Sequence, residues 1–104
     1  MATNPSSQTG PQPLRIASGG NLVASTVEER RKTAMAALNA PCSEVILDLS
    51  ASEVVDSLGI TLILGLFKTC QLRKIAFQVV GANPDLMRVF KLFSLPKLFP
   101  IQER

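Results

Sequence analysis

Residues 48–60 read Asp48-Leu49-Ser50-Ala51-Ser52-Glu53-Val54-Val55-Asp56-Ser57-Leu58-Gly59-Ile60. They join two segments of opposite character. Val45-Ile46-Leu47-Asp48-Leu49 is short and nearly all apolar, which predicts a central strand. The run that begins at Ser57 stays apolar too long for a strand and predicts a helix to about Leu72. Asp56 or Ser57 can cap that helix, and Gly59 in its first turn lets another surface approach closely. The polar loop between them falls at the carboxyl edge of the sheet, where open α/β sheets place their sites.

Working outward, Leu14 and Ile16 alternate with Arg15 and Ala17, as in a half-buried strand. Gly19-Gly20 allows a turn, and Leu22-Val23 can make a short second strand. Ser25 or Thr26 can cap the next helix, each with a Glu three residues later (Glu28, Glu29), the spacing of a capping box. Val27, Ala34 and Leu38 share one face of it, with Met35 and Ala37 beside them. Arg31 interrupts that stripe, so its stem is expected along the core edge with its charge in water. Downstream, Ile75-Ala76-Phe77-Gln78-Val79-Val80 reads as another inner strand closed by Gly81. Asn83, Pro84 and Asp85 open a third helix, whose Leu86, Val89, Phe90 and Phe93 recur at core-facing spacing. Leu95 to Ile101 is expected to pack its Leu and Phe side chains back on the domain. The order is β-β-α-β-α-β-α, an α/β domain with a mixed four-stranded sheet and helices mainly on one face. Residues 1–12 hold nothing to bury and are expected to form a disordered tail, leaving 13–104 as the domain.

Composition removes several function classes. The chain has 104 residues, enough for one domain. It contains no His, so imidazole acid–base chemistry and His metal ligation are excluded. Cys42 and Cys70 match no zinc or redox spacing, and Cys70 reads as a buried reduced thiol. There is no leader-like start and no run of about 18 apolar residues, so neither secretion nor a membrane span is expected and a cytoplasmic location fits. Residues 57–104 carry seven Lys/Arg against two Asp/Glu, which could suit an acidic partner. The charges are scattered without interleaved aromatics, so nucleic acid is not an expected ligand.

On the second helix, Ile60, Leu62, Ile63, Leu66, Phe67 and Cys70 cover most of the circumference. Ser57, Thr61, Gly65 and Lys68 line one narrow stripe flanked by Leu64 and Leu72. Such a stripe is either an ordinary solvated edge or a docking surface for another protein. Ser57 is either a helix cap or a phosphate acceptor. A phosphate there is compatible with the helix amides and adds about −1.5 to −2 charges beside the stripe. Ser50 and Ser52 are alternative acceptors in the same loop. A Ser57–Lys68 catalytic pair is excluded, because eleven residues of helix separate the two by roughly 16 Å.

Several of these segments, taken in order, resemble the STAS domain family. Val45 to Ser50 followed by Asp56-Ser57-Leu58-Gly59-Ile60 is similar to the family's apolar strand ending in Asp-(Leu/Val)-Ser and its Asp-(Ser/Thr)-x-Gly-(Leu/Ile) motif. Gly20-Asn21-Leu22 resembles the early G-x-L element. Val79 to Pro84, Val89-Phe90-Lys91-Leu92 and Ser94-Leu95 through Ile101 resemble the later elements. The resemblance implies an anti-sigma factor antagonist, a monomeric binding protein rather than an enzyme, with no cofactor of its own. Its implied acceptor is Ser57, phosphorylated by a partner anti-sigma factor that is also a serine kinase and binds the ATP, and dephosphorylated by a PPM-type serine phosphatase. Asp56 and Gly59 would shape the loop, and Thr61, Leu64, Gly65, Lys68 and Asn21 would meet the partner. Leu58, Val23, Asn21 and Ser94 depart from the family pattern, which more often has Ser or Thr, Asp, Glu and Gly there. The competing expectation is a constitutive STAS subunit of an ABC-type lipid transporter or a signalling scaffold.

Overall fold

Alternation along each strand builds the sheet. The structure is a computed structural model describing residues 12–104, with strands at Gln12–Ala17 (β1), Cys42–Asp48 (β2), Ala76–Ala82 (β3) and Ile101–Glu103 (β4). They pair in the order β1-β2-β3-β4, every pair parallel. The register places Ile16, Leu47, Val79 and Ile101 in one row across the sheet, with Leu14, Val45 and Phe77 in the next. Val45, Leu47, Phe77 and Val79 are buried. The alternate row, Arg15, Ile46 and Gln78, faces away, and there Arg15 pairs with Asp48 at 2.9 Å.

The helices are Val27–Ala37 (α1), Ser57–Leu72 (α2) and Pro84–Leu92 (α3). Parallel strands in chain order require crossovers of one hand, which puts all three helices over the same face. α2 supplies most of the cover, burying Ile60, Leu62, Ile63, Leu66 and Cys70. Each fully buried Leu or Ile side chain stabilises by about 1.5–3 kcal/mol. Phe99, just before β4, closes the core by packing edge-on against Phe77 and at a tilt against Phe67, with ring centroids 4.9 and 5.1 Å apart. The α/β domain, its three helices and three of its four strands are as the sequence predicts.

Three local expectations are corrected. The sheet is wholly parallel rather than mixed, because Leu22-Val23 forms no strand. Leu22 makes only an isolated parallel bridge to Val55, and Val23 turns into α1 through Thr26 and Val27. The element order is therefore β-α-β-α-β-α-β, with the last strand supplied by Ile101–Glu103. No capping box forms at α1: Thr26 Oγ1 instead accepts from Val23 N at 3.2 Å and donates to Asn21 O at 2.7 Å. Arg31 keeps its charge in water, where it is paired with Glu28. The expected tail lies outside the described residues except for Gln12, which opens β1.

Candidate functional site

Two loops at the carboxyl edge of the sheet are stitched together. Leu22 N donates to Val54 O and Asp56 N donates to Leu22 O, both at 3.1 Å. The Asn21 carboxamide oxygen accepts from Glu53 N at 2.8 Å and Val54 N at 3.0 Å. Beneath them the fully buried Ser52 hydroxyl donates to Gly20 O at 2.5 Å and lies 2.7 Å from the Ser18 hydroxyl, which donates to it. Arg104 braces the far side, donating to Ser50 O at 2.7 Å with its guanidinium 3.5 Å from the Glu53 carboxylate. The buried Ser18 and Ser52 hydroxyls are thus satisfied, and the loop is held on three sides.

This frame fixes the start of α2. Asp56 is the N-cap: Oδ1 accepts from Gly59 N at 3.0 Å, and Oδ2 accepts from Ala24 N at 2.9 Å. One carboxylate therefore ties the first turn of α2 to the approach to α1. The Gly59 N–H holds the Asp56 carboxyl below its ordinary pKa, and the Ala24 N–H adds to this.

With Asp56 acting as the cap, Ser57 is released from that role. It is the first residue of α2 and is exposed, and its hydroxyl bonds to no described residue. Only its carbonyl is engaged, accepting from the Thr61 hydroxyl at 3.0 Å. The other two loop serines differ. Ser52 is fully buried, so it is closed to a modifying enzyme. Ser50 is exposed, but its hydroxyl donates to Asp48 Oδ1 at 2.6 Å and, with the Ser50 N–H, holds the Asp48 carboxyl low.

A groove of about 400 Å³ runs beside this point between α1 and α2. Val27 and Met35 line it from α1, and Leu58, Thr61 and Gly65 from α2, with the exposed Glu28–Arg31 pair at its edge. A side chain on Gly65 would meet no atom within 4 Å, so this glycine leaves the groove open. The structure thus brings Ser57, Thr61 and Gly65 onto one exposed stripe, which Lys68 continues. Leu64 is half-buried and packs against the core. Gly59 is buried against Leu22 of its own chain, so the surface it admits is internal and it is not open to a partner. Asn21 is exposed, but its carboxamide oxygen is spent on the loop.

Sequence reasoning missed Val54 and Leu58, large apolar side chains left 51% and 47% exposed on either side of Asp56-Ser57. It also assigned Val27 and Met35 to the core, where both are half-buried and form a groove wall. The Val54-Val55 pair held one usable signal: period-2 alternation lets only one of two adjacent valines point inward. Among the described residues, no group of three His, Cys, Asp or Glu side chains is placed to hold a metal ion.

A sequence model of the STAS domain family matches residues 4–104. No curated protein matches the chain in sequence. Several solved structures share the fold, three of which follow. A Thermotoga maritima protein classed as an anti-sigma factor antagonist matches at TM-score 0.76 and 23% identity, over 83% of this chain and 74% of its own. A sulfate transporter family protein from Wolinella succinogenes matches at 0.76 and 16%, over 98% and 88%. The anti-sigma factor antagonist SpoIIAA in its unphosphorylated form matches at 0.73 and 18%, over 92% and 84%.

Proposed function

Because the chain belongs to the STAS domain family, we propose that it is a protein-binding switch of the anti-sigma factor antagonist type, controlled by phosphorylation of Ser57. Unphosphorylated, it binds an anti-sigma factor that is also a serine kinase and carries the ATP. Phosphorylation releases that partner, and a PPM-type phosphatase resets the switch. The output is regulation of transcription in the cytoplasm. The observation that carries this reading is the free, exposed Ser57 hydroxyl on a helix start already capped by Asp56.

The physical logic is local. A phosphate at the first residue of α2 meets the helix amides and the positive end of the dipole, so the fold tolerates it. It places about two negative charges between Val54 and Leu58, beside the open groove. Docking would then require desolvating a dianion, which opposes binding without unfolding the domain. Thr61, Gly65 and Lys68 offer the contact stripe, Leu64 its border, and Asp56, Gly59 and Asn21 hold the shape of the loop.

The same fold in a sulfate transporter family protein keeps the second reading in view, a constitutive STAS subunit of a transporter or scaffold. Capture of the kinase from native extract by wild type, Ser57→Ala and Ser57→Asp separates the two. Wild type and Ser57→Ala should retain the same serine kinase, and Ser57→Asp should lose it. Equal capture by Ser57→Asp would favour the constitutive subunit.

A further inference from the structure

Among the described residues, four of the six large hydrophobic side chains left exposed lie away from Ser57: Leu72 at 86%, Leu92 at 79%, Phe93 at 53% and Leu98 at 49%. Topology collects them toward one end. The helices return antiparallel to the strands, so α2 and α3 both begin at the carboxyl edge and end toward the opposite one. Ser57 and Leu72 stand at the two ends of α2, about 22 Å apart at 1.5 Å per residue. Leu98 is anchored nearby, since its neighbour Phe99 packs against Phe67 of α2 at 5.1 Å. The same end is basic. Exposed Arg73 and Lys74 follow Leu72, and exposed Lys91 and Lys97 flank Leu92, Phe93 and Leu98. Residues 86–100 contain three Lys/Arg and no Asp or Glu.

We infer that this end of the domain rests on an anionic lipid surface, leaving the Ser57 end turned outward toward its partner. The apolar side chains sit at helix termini and a tight turn, each within two residues of a lysine. Leucine and phenylalanine that enter the headgroup layer, with lysines pairing to lipid charges, have this composition. Protein interfaces are depleted in lysine, which disfavours an acidic protein as the occupant. Among the described residues no helix is long and apolar enough to cross a membrane, so the contact is peripheral.

Co-sedimentation of the full chain with vesicles tests this. Phosphatidylcholine vesicles containing about one-third phosphatidylglycerol should bind about tenfold more protein than phosphatidylcholine alone, and less at high salt. The exposed pairs Leu72→Gln with Leu92→Gln, and Lys91→Gln with Lys97→Gln, should each lower binding about fivefold with an unchanged circular dichroism spectrum. No binding by wild type, or binding as strong as wild type's by both variants, would overturn the inference. Retention on immobilised poly-glutamate as strong as on vesicles would replace the lipid with an acidic protein. Loss of a wild-type dimer in the leucine variant, without vesicle binding, would assign this end to a second copy.

Discussion

Gly59 and Leu22 touch with no room for a side chain between them. A Cβ on Gly59 would collide with the Leu22 carbonyl oxygen and stand 2.9 Å from Leu22 Cβ and 2.7 Å from Val55 Cγ1. The Leu22 backbone is fixed by its hydrogen bonds to Val54 and Asp56, so it cannot yield cheaply. Gly59→Ala is therefore expected to destabilise the domain by about 1–3 kcal/mol despite alanine's better helix propensity. Urea denaturation reads this as a lowered midpoint.

Gly65 is the opposite case on the same helix. With nothing within 4 Å of its Cβ position, Gly65→Ala should stabilise by up to about 1 kcal/mol. Gly65→Phe should keep that stability yet fill the groove walled by Met35 and Leu58, and so lose the partner. A Gly65→Phe chain that binds the partner normally would remove the groove from the docking surface.

Ser94 sits in the left-handed region at φ 61°, just after α3 and before the 3-10 turn Leu95–Lys97. A glycine there would avoid the clash between Cβ and backbone. Ser94→Gly is expected to raise stability by roughly 0.5–1 kcal/mol, part of the relief being offset by the freer unfolded chain. Thermal melts of the two proteins check this.

Asp48 and Asp56 both have folded pKa values below their ordinary ones, Asp48 through the Ser50 hydroxyl and Asp56 through the Gly59 N–H. Their contribution is fully present above the unfolded carboxylate pKa of about 3.9 and fades as pH falls through the lower folded values. Wild type should lose stability on acidification below about pH 4, with a shallower loss in Asp48→Asn and Asp56→Asn. Parallel profiles for all three proteins would deny these carboxylates that role.

Much of this was legible because local signals agreed. β2, α2, β3 and the Asn83 cap of α3 follow from apolar runs and capping chemistry that point the same way. Leu22-Val23 misled because a fully buried leucine looks the same in a strand and in a single bridge. Ile101–Glu103 was hidden because three residues after a proline show no usable periodicity, and their pairing with β3 is long-range. At the site, Asp56-Ser57 was readable as a cap, but which of the two caps was not. That depends on Ala24, thirty-two positions away, which takes the second Asp56 oxygen. The groove was equally invisible, since it exists only where α1 and α2 meet.

The most direct test of the switch is phosphopeptide mass spectrometry of the chain isolated from its native cells, covering residues 50–68. The account predicts phosphate on Ser57 and none on the buried Ser52. Phosphate confined to Ser50, or none under several growth conditions with full coverage, would contradict it.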